Sequence, residues 1–196
     1  MKTTSNNSRS IPVISFSSSG DWKDWLEKNH GLSNGIWLQL FKKDSGEKTV
    51  TYAQALEEAL CYGWIDGQKD KYDAISYIQK FTPRRPKSIW SKRNTEIAER
   101  LIKEGKMTKA GLQQIELAKA DGRWQSAYDS AKNMKLPEDF LQMLSVNEKA
   151  KSFFDGLNKT NIYAIAWRLQ TAKKHETREK RLHEILEMLS NGRKFH

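Results

Sequence analysis

Apolar positions recur along this chain in two rhythms, and the rhythm changes once. Up to Phe81 the apolar runs are short, rich in β-branched and aromatic residues, and broken by turns. Val13-Ile14-Ser15-Phe16 predicts a short strand. Trp22, Trp25 and Leu26 follow at helical spacing behind Ser19-Gly20-Asp21, and Gly31 is the expected stop. Ile36 to Phe41 predicts a second strand, with Asp44-Ser45-Gly46 as the turn after it. Thr51 caps a helix from Tyr52 to Tyr62, whose Ala55, Leu56, Ala59 and Leu60 form one face, and Gly63 closes it. Trp64-Ile65 restarts extended chain. Over Ala74–Phe81, Ile75, Tyr77, Gln79 and Phe81 fall on one side and Ser76, Ile78 and Lys80 on the other, which is strand alternation.

Pro83 and Pro86 bracket Arg84-Arg85 and forbid regular structure there. Beyond them the period is helical. Ser91 caps a helix carrying Ile97, Ala98, Leu101 and Ile102, ended by Gly105. Thr108 caps another with Leu112, Ile115 and Ala118, ended by Gly122, and the short linker predicts that the two form a hairpin. Arg123 to Ala131 reads as an aromatic connection. Pro137, Asn147, Ile162 and Thr177 mark four further helices, the last running to Ser190. The expected fold class is therefore α+β: a small N-terminal mixed sheet-and-helix layer followed by an all-helical C-terminal half. The expected organisation is a disordered tail over 1–12, an α+β domain over 13–90, and a helical region over 91–196 packed on it or appended to it.

Composition narrows the classes. With 196 residues and one cysteine, Cys61, the chain can bury a core but cannot form an internal disulfide, which excludes a disulfide-built fold. No run approaches the roughly 18 apolar residues of a membrane span. The N-terminal Ser/Asn stretch has no apolar core of a signal peptide, so the expected location is cytoplasmic. The sequence sets no oligomeric state. The formal net charge is +10, and all of it lies after Phe81: residues 1–81 carry 10 basic and 10 acidic side chains, residues 82–196 carry 24 and 14. Such asymmetry points to an anionic partner, with solvated basic helices as the plain alternative.

The candidate chemistry is limited. His30, His175, His183 and His196 have no ligand spacing, and Cys61 has no partner in sequence, so no metal site is expected. No phosphate-loop or dinucleotide glycine pattern is present, and the sequence names no cofactor. The densest signal is Pro83 to Arg93, with five positive charges and no acid. Arg84, Arg85 and Lys87 supply charge, Ser88 and Ser91 supply hydroxyls, and Trp90 lies between them. The competing reading pairs the arginines with acids, places Trp90 in a core and leaves Ser91 as a cap. Asp66, set between Gly63-Trp64-Ile65 and Gly67, is a candidate base facing Arg84 or Arg85, or else an ordinary turn residue. Arg123, Trp124 and Tyr128 interleave base and aromatic as stacking surfaces do, or pack as core. The run from Arg168 to Arg181 is a basic helical face that suits nucleic acid or anionic lipid, or is merely solvated.

Several ordered blocks resemble the YdeI/OmpD-associated, bacteriocin-protection family. They are Ala59-Leu60-Cys61-Tyr62-Gly63-Trp64-Ile65-Asp66-Gly67, Phe81-Thr82-Pro83-Arg84-Arg85-Pro86-Lys87-Ser88-Ile89-Trp90-Ser91, Gly105-Lys106-Met107-Thr108 with Gly111, and Ala120-Asp121-Gly122-Arg123-Trp124 with Ala127-Tyr128. The last is Ala172-Lys173-Lys174-His175-Glu176-Thr177-Arg178, in which His175 stands where the family pattern leads one to expect proline. The blocks run from about Phe16 to Gly192. The resemblance implies a label of bacteriocin or antimicrobial-peptide protection and, by name, an association with an outer-membrane porin. It brings no family-wide catalytic assignment. The expected function is stress protection through binding an anionic ligand in a groove of Trp64, Asp66, Arg84, Arg85, Ser88, Trp90, Arg123, Trp124 and Tyr128. The rivals are an enzyme on a small anionic substrate, using Asp66 with Arg84 and Arg85, and a weak, sequence-independent nucleic-acid binder.

Overall fold

The computed structural model describes residues 11–130 and 133–196. The expected tail over 1–12 falls almost wholly outside the described residues. Strands and helices follow the change of rhythm: β1 (Val13–Ser15), α1 (Ser19–Asn29), β2 (Ile36–Phe41), α2 (Tyr52–Cys61), β3 (Trp64–Lys71), β4 (Ser76–Pro83), then α3 (Lys92–Lys103), α4 (Lys109–Ala120), α5 (Glu138–Ser145), α6 (Glu148–Asp155), α7 (Lys159–Gln170) and α8 (His175–Ser190). The fold is α+β, with a mixed four-stranded sheet in the N-terminal half and a mostly helical C-terminal half.

Two compact units are present. The first comprises the chain up to Ser88 together with Asn94–Gln125; the second comprises Ile89–Arg93 and Ser126–His196. The expected break after Trp90 is therefore not where the units part. Most of α3 and all of α4 belong with the sheet. The reason is local to α4, which lies against α2 rather than pairing along α3 as a hairpin. Gly111 allows this: a Cβ there would stand 2.4 Å from the Cys61 carbonyl oxygen and 2.8 Å from that of Leu60. Thr108, the N-cap of α4, also bonds across this contact, its hydroxyl donating to the Cys61 carbonyl at 2.6 Å.

The sheet order is β1-β2-β4-β3, with β1 parallel to β2 and the other pairs antiparallel. In β2, Ile36, Leu38 and Leu40 are buried and alternate with half-buried Trp37, Gln39 and Phe41. Their partners Phe81, Gln79 and Tyr77 continue that face across β4. Trp22 and Leu26 of α1, and Ala55, Leu56, Ala59 and Leu60 of α2, add to the buried set. Trp22 stacks on Trp25 and meets Trp64 edge-on, and its indole N–H donates to the Ala55 carbonyl at 3.0 Å, which ties α1 to α2.

Caps account for the helix ends. Thr51 and Gln54 form a capping box on α2. Gly63 takes a left-handed φ of 72° after it, and a Cβ there would meet Ala110 and Gln114 of α4. The cap of α1 is Ser18, one residue before the expected Ser19; the helix ends at Asn29 with His30 as C-cap, its amide bonded back to Leu26, and the expected stop Gly31 follows directly. In the second unit Asn147 and Asn158 cap α6 and α7. The core of α5–α8 is Phe140, Leu144, Ala150, Ile165, Leu169, Leu182, Ile185, Leu186 and Leu189. α7 and α8 are separate helices: Thr171–Lys174 divides them although His175 is not proline.

Candidate functional site

The residues singled out by sequence divide between the two units. Trp64, Asp66, Arg84, Arg85, Lys87, Ser88, Arg123 and Trp124 lie in the first; Trp90, Ser91 and Tyr128 lie in the second.

Trp64 does not line a groove. It is 1 % exposed, packs edge-on to Trp22 and Trp25, and donates its indole N–H to the His30 carbonyl at 3.1 Å. Its bulk belongs to the core under the sheet, where an aromatic beginning a strand naturally packs.

Among the described residues Asp66 does not pair with an arginine. One of its carboxylate oxygens accepts from the Tyr52 hydroxyl at 2.7 Å, and Tyr52 is the first residue of α2. The strand register explains this. Asp66 faces Phe81 and Trp64 faces Pro83, so the Arg84 amide reaches back to the Gly63 carbonyl, at 3.0 Å. Alternation along β4 puts Phe81 and Arg84 on opposite faces, which separates Asp66 from the arginine expected beside it. The ladder shifts between Asp66 and Lys69 at a bulge, where Gln79 donates to the Gly67 carbonyl at 2.9 Å and the Gln68 carbonyl at 3.2 Å. Tyr52 was missed because its role as a helix-starting residue hides its hydroxyl's long-range partner.

The basic segment forms a tight turn. The Ser88 amide donates to the Arg85 carbonyl at 2.9 Å, and the Arg85 amide donates to the Ser88 hydroxyl at 3.0 Å. Arg84 is 6 % exposed, whereas Arg85 and Lys87 are exposed. Neither exposed cation has an ion-pair partner among the described residues. Arg123 joins the turn from the other end of the unit. It is 7 % exposed, its Nη1 donates to the Ser88 carbonyl at 2.8 Å, and its Nε donates to both oxygens of Asp121 at 2.8 and 2.6 Å. Asp121 neutralises Arg123, and the pair fixes the turn's backbone. The sequence singled out Arg123 but not Asp121, which reads there as part of a helix stop. Trp124 is half-buried, with Lys119 over its ring at 5.9 Å.

In the second unit the Tyr128 amide donates to the Trp90 carbonyl at 3.0 Å, and the Lys92 amide donates to the Tyr128 carbonyl at 2.9 Å, so Ser91 and Tyr128 form a small parallel bridge. The Lys92 amide at the start of α3 is thereby bonded within the chain and is not an open donor for an anion. Lys92 also pairs with Asp129 at 2.7 Å, and Gln170 donates to the same carboxylate at 2.6 Å. These donors hold the Asp129 carboxyl below its ordinary range, Lys92 foremost. Tyr128 meets Trp167 edge-on. Trp90 is 2 % exposed and buried as the core reading expects.

Among the described residues no group of His, Cys, Asp and Glu could hold a metal ion, and no helix is long and apolar enough to cross a membrane. The arrangement that remains for chemistry is the turn: two exposed, unpaired cations on a backbone pinned by Ser88 and Arg123. It can attract and orient an anion.

The family model described as a domain of unknown function (DUF8412) matches residues 14–114, which is 101 of the 196 residues. The model described as bacteriocin-protection, YdeI or OmpD-associated, matches residues 133–192. That match is narrower than the span from Phe16 to Gly192 over which the sequence blocks resemble the family. No curated protein and no solved structure matches the chain.

Proposed function

The chain belongs to the family described as a domain of unknown function (DUF8412) and matches the bacteriocin-protection, YdeI or OmpD-associated model in its C-terminal part, and from that premise we propose that it is a cytoplasmic stress-protection protein that acts by binding an anionic ligand or partner. The observation that carries this reading is the Arg85–Ser88 turn. Arg85 and Lys87 present unpaired charge from a backbone held at both ends by hydrogen bonds, with no acid anywhere between Asp73 and Glu96. A turn already ordered, and stiffened by Pro86, loses little entropy when an anion docks. The description of the C-terminal match supports the protection part of this reading.

The enzymatic alternative loses the support it drew from the sequence, because Asp66 hydrogen-bonds Tyr52 and has no arginine partner among the described residues. The test is a titration of the folded protein with inorganic pyrophosphate, followed by amide NMR. Shifts centred on Arg85–Ser88 and absent from an Arg85→Ala/Lys87→Ala variant are expected. Shifts spread evenly over every basic helix overturn the reading in favour of general charge attraction.

A further inference from the structure

A pocket that shares no lining residue with the basic turn lies in the first unit. It measures about 300 Å³ and opens beside the end of α2, where Glu58, Cys61 and Tyr62 line it together with Lys23 of α1, Leu101 of α3 and the Gly105–Thr108 loop. Part of its charge is already satisfied. Arg100 binds Glu57 at 2.5 Å and Glu104 at 2.9 Å, and Lys106 binds Glu104 at 2.8 Å. What remains is one carboxylate, Glu58, with Lys23 beside it, and the polar groups of Tyr62, Cys61 and Thr108. Glu58 is half-buried and makes no side-chain hydrogen bond or ion pair among the described residues. Tyr62 is 7 % exposed, and its hydroxyl has no hydrogen-bond partner among the described residues. The Cys61 thiol is buried and likewise unbonded.

We propose that this pocket binds a small organic ammonium ion, with Glu58 and the Tyr62 oxygen accepting its N–H groups and Leu101 and Cys61 covering its aliphatic part. An alkylammonium offers up to three donors, and the Glu58 carboxylate and Tyr62 oxygen are acceptors that no protein donor occupies among the described residues. The surroundings favour a cation. Burial, then Glu27, Glu58 and Asp24, push the Tyr62 phenol up, so the ring sits among carboxylates in a chain whose overall charge is +10. Burial likewise holds the Glu58 carboxyl above its ordinary range, against Lys23 and Lys106. A metal ion fits less well, since no cluster of three ligating side chains forms here or elsewhere among the described residues. Lys23 is exposed and unpaired at the rim, so it competes with a bound ammonium rather than holding it.

The experiment is isothermal titration of the whole protein with n-butylamine and putrescine, using n-butanol as the uncharged control. The expected result is that the wild type binds both amines and ignores the alcohol. Glu58→Gln should weaken binding by about tenfold or more, the loss of a charge-assisted bond. Tyr62→Phe should weaken it by a smaller factor, and Lys23→Ala should leave it unchanged or tighten it. Circular dichroism checks that each variant is folded. Equal affinity for amine and alcohol, no loss in a folded Glu58→Gln variant, or abolition of binding in Lys23→Ala each overturns the proposal; the last would mean the pocket recognises an anionic group.

Discussion

Tyr52 donates its phenolic hydrogen to Asp66 across the gap between the start of α2 and strand β3, at 2.7 Å. The bond links a helix to the strand beside the bulge and leaves Arg84 to a different face. Asp66 is thus a structural residue in this account. Tyr52→Phe should lower stability by about 1 kcal/mol, the size of one partly exposed hydrogen bond, and should leave pyrophosphate binding intact. Urea unfolding and a pyrophosphate titration on Tyr52→Phe and Asp66→Asn check both. Wild-type stability with lost binding in Asp66→Asn would return Asp66 to the ligand site.

Gly111 sits where α4 touches the end of α2. A Cβ there would stand 2.4 Å from the Cys61 carbonyl oxygen, and backbone cannot swing aside as a long side chain can. Gly111→Ala should therefore destabilise the chain by about 1–3 kcal/mol through overpacking, although alanine is the better helix former. Chemical denaturation reads the sign. A stabilised variant would mean that α4 does not lie against α2.

Cys61 is the only cysteine, and burial pushes its thiol up to about 12, with Glu58 and Glu57 adding to the shift. The thiolate is the reactive form, so at pH 8 the folded protein should react with an aromatic disulfide reagent far more slowly than the unfolded chain. The two rates, measured with and without denaturant, give the comparison. Labelling of the folded protein as fast as that of a free thiol would contradict the burial of α2 against α4.

In the second unit Arg178 makes a two-pronged pair with Asp139, one contact being Nη2 to Oδ1 at 2.8 Å. Arg178's hydrogen bonds hold the Asp139 carboxyl below the usual carboxylate range. A carboxyl whose pKa is lower in the folded chain contributes its stability above the unfolded value and loses it as pH falls through the folded one. The loss should begin below about pH 4. Asp139 is 47 % exposed, so the contribution is under about 1 kcal/mol after solvent screening. Asp139→Asn should flatten this part of the acid limb in urea unfolding between pH 5 and pH 2. An unchanged acid limb would show that the pair contributes nothing.

Local signals in the sequence account for much of the fold. Thr51 with Gln54, Asn147 and Thr108 cap helices where their residue types predict, and Gln79 and Phe81 of the expected alternation are buried in β4, whereas Ile75 lies before the strand and is exposed and Ser76, expected on the other side, is buried. Strand β3 is less legible beyond Trp64-Ile65. It pairs only with β4, and from Gln68 to Lys71 it is exposed, so no apolar period marks it. Its register is set by partners far along the chain and by the bulge after Asp66, and neither leaves a trace in spacing. That is why Asp66 read as an arginine partner. The basic turn was legible because prolines and clustered charge are local. The pinning of its backbone by Arg123 spans 35 residues and was not.

The central claim is that Arg85 and Lys87 form a defined anion site and are not two more charges on a basic surface. The most direct measurement is calorimetric titration with tripolyphosphate at 50 and 200 mM salt. The protein should be compared with Arg85→Ala/Lys87→Ala and with a control of equal net charge, Lys149→Ala/Lys159→Ala. The account predicts that binding weakens as salt rises, that the turn variant loses about tenfold or more in affinity, and that the control keeps wild-type affinity. Equal losses in both double variants would contradict it.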